Sequence, residues 1–227
     1  MRLAILTADS EFVELASRTL PRAGCVCHHF ALGSALLSAL RRETFDLLVI
    51  DHALPDMTGI RVLSTVRAIV STQVPVLYVT SLAAERDEVS ALNAGADTCL
   101  NRPVEAVVLC ARVASVLRRA RMLQLDHADA STDAFEFDPV ACSVSRNGTL
   151  IHLTVRQFRL ALLFYQHIGT TLSREHILDL IWQGELDVNM RSVDTQISRL
   201  RAKLHLVPES GYRLTSVHGR GYRLDRL

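Results

Sequence analysis

The chain has 227 residues, 49% of them apolar and 22% charged, with a net charge of +1. That length accommodates two domains of ordinary size, each with its own core, and the composition is that of a globular protein. No run of about 18 uncharged apolar residues occurs and the N-terminus lacks a signal-peptide layout, so neither a membrane span nor secretion is expected, and the cytoplasm is.

Residues 1 to 121 alternate short apolar runs with amphipathic segments. Strands are expected at LAILT, CVCHHFA, DLLVI, PVLYV and TCL. Helices are expected over 11–21, 34–42, 61–69, 84–94 and 104–121. Five β/α repeats with continuous apolar strands predict a five-stranded parallel sheet covered on both faces. In such a sheet functional groups gather at the strand C-termini, which brings Asp9, Asp51, Thr80 and Arg102 together. Five cysteines, Cys25, Cys27, Cys99, Cys110 and Cys142, are an odd number and argue against a disulfide framework. Alternation puts Cys25, Cys27 and His29 on one strand face. That allows a metal or redox reading, against the simpler one of a buried strand.

Residues 122–134 are polar and acidic without a helical or strand period, and are read as a linker. FEFDP, SVSRNG and LIHLT over 135–154 predict short antiparallel strands, with a hairpin turn at Asn147-Gly148. Thr154 and Ser173 are candidate N-caps for helices reaching His167 and Trp182. Leu160, Leu163, Ile177, Leu180 and Trp182 are assigned to the core.

VNMRSVDTQISRLRAKLHL, residues 188–206, carries Val193, Ile197, Leu200 and Leu204 on one stripe at helical period, with Asn189 as N-cap. The opposite side holds Arg191, Ser192, Thr195, Ser198, Arg199 and Ala202. Gln196, Arg201 and Lys203 flank it, and Lys203 is the only lysine in the chain. A face of guanidiniums, hydroxyls and an amide suits phosphates and base edges in a major groove. The alternative is an ordinary basic surface helix. YRLTSVHGRGYRL then reads as a β-hairpin turning at Gly219 to Gly221. From Val188 to Leu227 eight basic residues stand against three acidic ones, a net of +5 beside +1 for the whole chain, which favours a specific nucleic-acid footprint, double-stranded DNA if the helix enters a major groove.

RSVDTQISRLRAKL with its HGRGYRL hairpin, preceded by LTVRQFRLALLFYQHIGTTLSREHILDLIW, resembles the winged helix-turn-helix domain of OmpR/PhoB-type response regulators, an α+β fold over residues 135–227. FDLLVIDHALPDMTG, VPVLYVTSLA and GADTCLNRPV resemble the receiver domain of the same bacterial two-component family. The resemblance implies a homodimeric, DNA-binding transcription regulator rather than an enzyme. It identifies Asp51 with the phospho-acceptor, Thr80 with the switch hydroxyl and Arg102-Pro103 with the lysine-proline pair. It further implies that Arg191, Gln196, Arg199 and Arg201, with Thr195 and Lys203, face DNA. His218 falls where the wing-tip arginine is common, with Arg220 two residues on. The loop 184–189 is implied to touch RNA polymerase, and Arg112, Arg118, Arg119 and Asp97 to lie on a dimer face.

The chain departs from the family in three places along one pathway. Two adjacent acids after the first strand normally hold Mg²⁺ with the acceptor aspartate; LTADS offers Ala8 at one of those positions, leaving a weak site at Asp9 and Asp51. Arg102 replaces a lysine, and its planar guanidinium is not equivalent to an ammonium in a tight site. Cys99 replaces the switch aromatic. No cofactor is therefore expected, and the receiver is expected to work largely without phosphorylation. The alternative is a conventional switch served by a cognate histidine kinase. An aspartate-nucleophile phosphohydrolase would need an acid where Ala53 stands.

Overall fold

The computed structural model describes residues 1–69, 74–80, 85–125, 135–183, 185 and 188–227. They form two compact units, Met1–Met122 and Leu123–Leu227. Part of the acidic segment, 126–134, and residues 184, 186 and 187 of the loop 184–189 lie outside the described residues.

In the first unit β1 (Arg2–Leu6), β2 (Val26–Phe30), β3 (Leu47–Asp51), β4 (Val76–Thr80) and β5 (Thr98–Asn101) form one sheet in the order β2-β1-β3-β4-β5. All four pairings are parallel. The helices α1 (Ser10–Thr19), α2 (Gly33–Ala39), α3 (Gly59–Ile69), α4 (Glu85–Asn93) and α5 (Ala106–Leu125) connect and cover it. Strand residues alternate between two buried clusters. Leu3, Ile5, Val49 and Leu77 pack with Phe12 of α1 and Leu109 and Val113 of α5. Ala4, Leu6, Ile50 and Tyr78 pack with Leu36 of α2 and Val62 and Val66 of α3. Helices on both faces are the reason these strands read as unbroken apolar runs. Connections leave β1 and β3 in opposite directions along the sheet, so a crevice opens between their C-terminal ends.

The second unit begins with an antiparallel sheet, β6 (Phe135–Asp138), β7 (Ser143–Arg146) and β8 (Thr149–Ile151). Asn147 and Gly148 both have positive φ, which the two-residue hairpin between β7 and β8 requires. Thr154 and Gln157 form a capping box at the start of α6 (Val155–Tyr165), and Ser173 accepts the His176 N–H to cap α7 (Arg174–Ile181). The strand β9 (Thr171–Leu172) precedes α7. Asn189 caps α8 (Met190–Leu204), which ends on left-handed His205. The hairpin of β10 (Tyr212–Val217) and β11 (Gly221–Arg226) pairs on its far side with β9. The stripe of Val193, Ile197, Leu200 and Leu204 is buried with Leu160, Phe164, Ile177, Leu214 and Leu224. Trp182, the chain's only tryptophan, is in the same core. Among the described residues no helix is long and apolar enough to cross a membrane.

Candidate functional site

The crevice of the first unit is built by three strand ends. Asp51, the last residue of β3, is 6% exposed. It accepts a hydrogen bond at Oδ2 from the Thr7 hydroxyl at 2.6 Å and from Arg102 Nη2, just past β5, also at 2.6 Å. The other arm of the same guanidinium donates to Asp9 Oδ2. Asp9 Oδ1 meanwhile caps α1, accepting from the Glu11 amide at 2.9 Å and the Phe12 amide at 3.4 Å. Arg102 lies over the Phe12 ring, 5.1 Å from its centroid. One guanidinium therefore bridges two carboxylates that belong to different elements, in the planar, two-armed way that suits arginine and not lysine.

Thr7 is a participant the sequence reading missed; its only signal was its place directly after an apolar strand. Its oxygen donates to Asp51 and accepts the Asp9 amide at 3.1 Å. A hard divalent cation needs several converging anionic oxygens. Here Ala8 offers none, Thr7 offers a neutral one directed at Asp51, and an oxygen of each carboxylate already receives the guanidinium. The residues present do not fit a magnesium ion.

Thr80 is 1% exposed, and among the described residues its hydroxyl has no hydrogen-bond partner. Its carbonyl accepts the Arg102 amide at 2.9 Å. Cys99 pairs across β4 and β5 with Tyr78. This small residue stands beside a fully buried aromatic on the neighbouring strand. The Tyr78 hydroxyl lies 3.2 Å from His52 Nδ1, and His52 Nε2 is 3.7 Å from Asp87 on α4. Burial pushes the Tyr78 phenol far above its ordinary value, with the Asp87 and Asp51 charges adding to the effect. A buried aromatic thus stands on β4 beside Cys99, with its hydroxyl at His52 just past β3.

Burial works to raise the Asp9 carboxyl, yet the Phe12 and Glu11 amides and the Arg102 guanidinium outweigh it and hold it below the usual range. A carboxylate depressed by folding contributes stability above its unfolded pKa, near 4, and that stability is lost as pH falls through the folded value. Thermal unfolding from about pH 6 down to about pH 2 should show the loss in the wild type and a flatter profile in Asp9→Asn. Equal slopes for the two proteins would contradict this.

Of the residues expected on a dimer face, Arg112, Arg118 and Arg119 are exposed on α5. Val107 and Val108 are exposed too, at 77% and 40%, whereas Leu109 is fully buried. Asp97 is engaged within its own chain, accepting from Arg67 at 3.0 Å and from the Val76 amide at 2.7 Å. Burial and the neighbouring Cys25 push the Cys27 thiol up to about 12, so without a metal it is protonated at neutral pH. His29 is bonded to the Thr7 carbonyl at 2.8 Å.

In the second unit α8 exposes Arg191, Thr195, Ser198, Arg199 and Ala202 on one side. The hairpin exposes Arg213, Ser216, His218 and Arg220. Two residues assigned to DNA by resemblance also bond within the unit. Arg201 Nε donates to the Leu214 carbonyl on β10 at 2.7 Å, and Lys203 Nζ to the His152 carbonyl at 2.9 Å. Gln196 is half-buried and its Oε1 has no partner among the described residues. The exposed face also includes Asp194, which the helical wheel had not placed there. Its carboxylate is compensated by residues of two other elements, information a single helix does not contain.

A parallel α/β unit with charged strand ends, followed by a helix-turn-helix with a β-hairpin wing, defines a class of two-part transcription regulators that bind DNA through the second unit. Residues 5–114 match the response regulator receiver domain, and residues 148–224 match the family described as transcriptional regulatory protein, C terminal. The chain belongs to the OmpR/PhoB-type response regulators of two-component signalling. It is 35% identical over 222 residues, 97% of either chain, to the transcriptional regulatory protein AfsQ1 of Streptomyces coelicolor. Identity is 32% over 198 residues, 85% of either chain, with the sensory transduction protein RegX3 of Mycobacterium tuberculosis. A solved streptococcal structure, described as one of a novel family of redox sensors evolved from two-component response regulators, covers 100% of this chain and 99% of its own. Its TM-score is 0.51 and its identity 20%, a likeness of fold. The chain is therefore a DNA-binding transcription regulator and not a phosphohydrolase.

Proposed function

We propose that this regulator binds its operator as a homodimer with little or no dependence on phosphorylation of Asp51, because Arg102 holds the receiver in one state. The domains are residues 1–121 and 135–227, joined by 122–134, of which α5 takes in the first four residues. The observation that carries the reading is the single guanidinium bound to both Asp9 and Asp51. It supplies permanently the positive charge that a metal ion brings to a receiver, and it occupies one of the two oxygens of Asp51, Oδ2. The exposed Val107 and Val108, with Arg112, Arg118 and Arg119, support a pairing face on α5 that needs no chemical trigger. RNA polymerase is the partner assigned to the loop 184–189.

Asp51 and Thr80 keep the positions of a phospho-accepting site, which favours a second reading, a conventional switch with a cognate histidine kinase. Affinity for the chain's own promoter fragment separates the two. Wild type and Asp51→Ala are compared, each with and without Mg²⁺ and beryllofluoride. Tight binding by the wild type that the mimic does not alter is expected; Asp51→Ala, which also removes a partner of Arg102, is read only for its response to the mimic. A gain of about tenfold with the mimic, absent in Asp51→Ala, would establish the conventional switch instead.

Arg191, Thr195 and Arg199 are the α8 residues we assign to the major groove, with His218 and Arg220 at the wing tip. Arg199→Ala should cost roughly 1–3 kcal/mol of operator binding and relax sequence preference at one position. Unchanged affinity for both operator and random DNA would place the helix differently.

A further inference from the structure

One aromatic ring ties together the three parts of the DNA-binding face. Tyr222 on β11 is 5% exposed. Its hydroxyl donates to Asp194 Oδ1 on α8 at 2.6 Å and accepts from Arg174 Nη2, the first residue of α7, at 3.3 Å. Arg174 Nε donates to the same Asp194 oxygen at 2.8 Å. The Arg174 guanidinium lies 4.8 Å from the Tyr222 ring centroid, and that of Arg201 lies 5.6 Å from it. Arg201 also donates to the Leu214 carbonyl on β10.

Asp194 and Arg201 are seven residues apart, so they share one face of α8 and stand about 10 Å apart along its axis. Each is fastened to the hairpin: Asp194 through the Tyr222 hydroxyl, Arg201 through the Tyr222 ring and the Leu214 carbonyl. A helix fixed to a hairpin at two separated points can neither tilt nor roll against it. Arg174 adds the third element, fastening α7 to the same oxygen.

We propose that Arg174, Asp194, Tyr222 and Arg201 are positioning residues that set the angle between the recognition helix and the wing. They thereby fix how far the major-groove residues stand from the wing tip. They touch no base; they act through Arg191 and Arg199 on one side and His218 and Arg220 on the other. The arrangement also resolves the presence of an acid on a DNA-facing helix. Burial works to raise the Asp194 carboxyl, but the Tyr222 hydroxyl and the Arg174 guanidinium hold it below the usual range. Its charge is answered locally and does not repel phosphate as a bare carboxylate would.

The test uses the full chain on its own promoter fragment. Tyr222→Phe keeps the ring between the guanidiniums and removes the hydroxyl. Guanine methylation protection reads the major groove, hydroxyl-radical cleavage reads the minor groove under the wing, and Trp182 fluorescence reports the folding of the second unit. The expected result is loss of the wing footprint with the major-groove footprint retained. Operator affinity should fall about tenfold, the equivalent of one charged hydrogen bond. The salt dependence should weaken by about one phosphate contact. Asp194→Asn, which keeps an acceptor for Tyr222, should retain more of the wing footprint than Asp194→Ala. Footprints that persist together or weaken in parallel would overturn the proposal and leave a purely structural role. If Tyr222→Phe does not fold, Arg174→Lys, which keeps the charge but not the two-armed contact, is judged by the same two footprints.

Discussion

Arg102→Ala is expected to destabilise the first unit by about 2–3 kcal/mol, and Asp51→Ala in the same chain to restore most of that loss. Removing the guanidinium leaves Asp51 buried with, among the described residues, only the Thr7 hydroxyl to answer its charge, and an unpaired buried carboxylate is costly. The full penalty for breaking a buried pair, roughly 3–5 kcal/mol, does not apply, since the Arg102 and Asp9 side chains remain about a quarter and a third exposed. Removing Asp51 as well deletes the charge that was stranded, which is why the double variant recovers. Far-UV circular dichroism would follow both units, and Trp182 fluorescence the second alone. Additive losses from the two substitutions would mean that Arg102 and Asp51 do not depend on each other, and the proposed fixed state would lose its basis. Arg102→Lys should recover only part of the stability, because an ammonium cannot span Asp9 and Asp51 with two parallel arms.

Gly221→Ala should destabilise the second unit by roughly 3–5 kcal/mol and abolish operator binding at ordinary protein concentrations. Gly221 opens β11 at a φ of +147°, a region that side chains rarely adopt. A Cβ placed there would lie 2.0 Å from the Leu172 carbonyl oxygen and 2.8 Å from the Ser173 Cα. Both neighbours are backbone, so neither can turn aside as a flexible side chain would. Relief requires β11 to leave β9, and the Tyr222–Leu172 pairing next to it goes with that separation. The position of Tyr222, and with it the link to Asp194, depends on the same pairing. Trp182 fluorescence during urea unfolding measures the loss directly. A midpoint within experimental error of wild type would show that the hairpin can rearrange without leaving β9.

The periodicities fixed a good deal on their own. Continuous apolar runs alternating with amphipathic segments define a parallel sheet covered on both faces, since only helices on each side can bury every strand residue. The stripe of Val193, Ile197, Leu200 and Leu204 likewise defines a helix and its buried side, because both follow from spacing along one element. Thr154, Ser173 and Asn189 were readable as caps for the same reason: a capping bond spans only two or three residues. Asp9, Asp51 and Arg102 could be brought to one place by the strand-end rule alone.

What those residues do to one another was decided by tertiary structure. That Arg102 bridges Asp9 and Asp51, and that Thr7 donates to Asp51, depends on how the ends of β1, β3 and β5 approach across the sheet, between positions 44 to 95 residues apart. The strand β9 has two residues, too few to show a period, and exists only because β11 pairs with it. The resemblance assigned Arg201 and Lys203 to DNA, and only the folded chain shows that each also bonds a carbonyl, of β10 and of the segment after β8. A sequence states which side chains share an element's face. Which partner meets that face, and so which charges remain for DNA, is set by distances between elements that only the folded chain establishes.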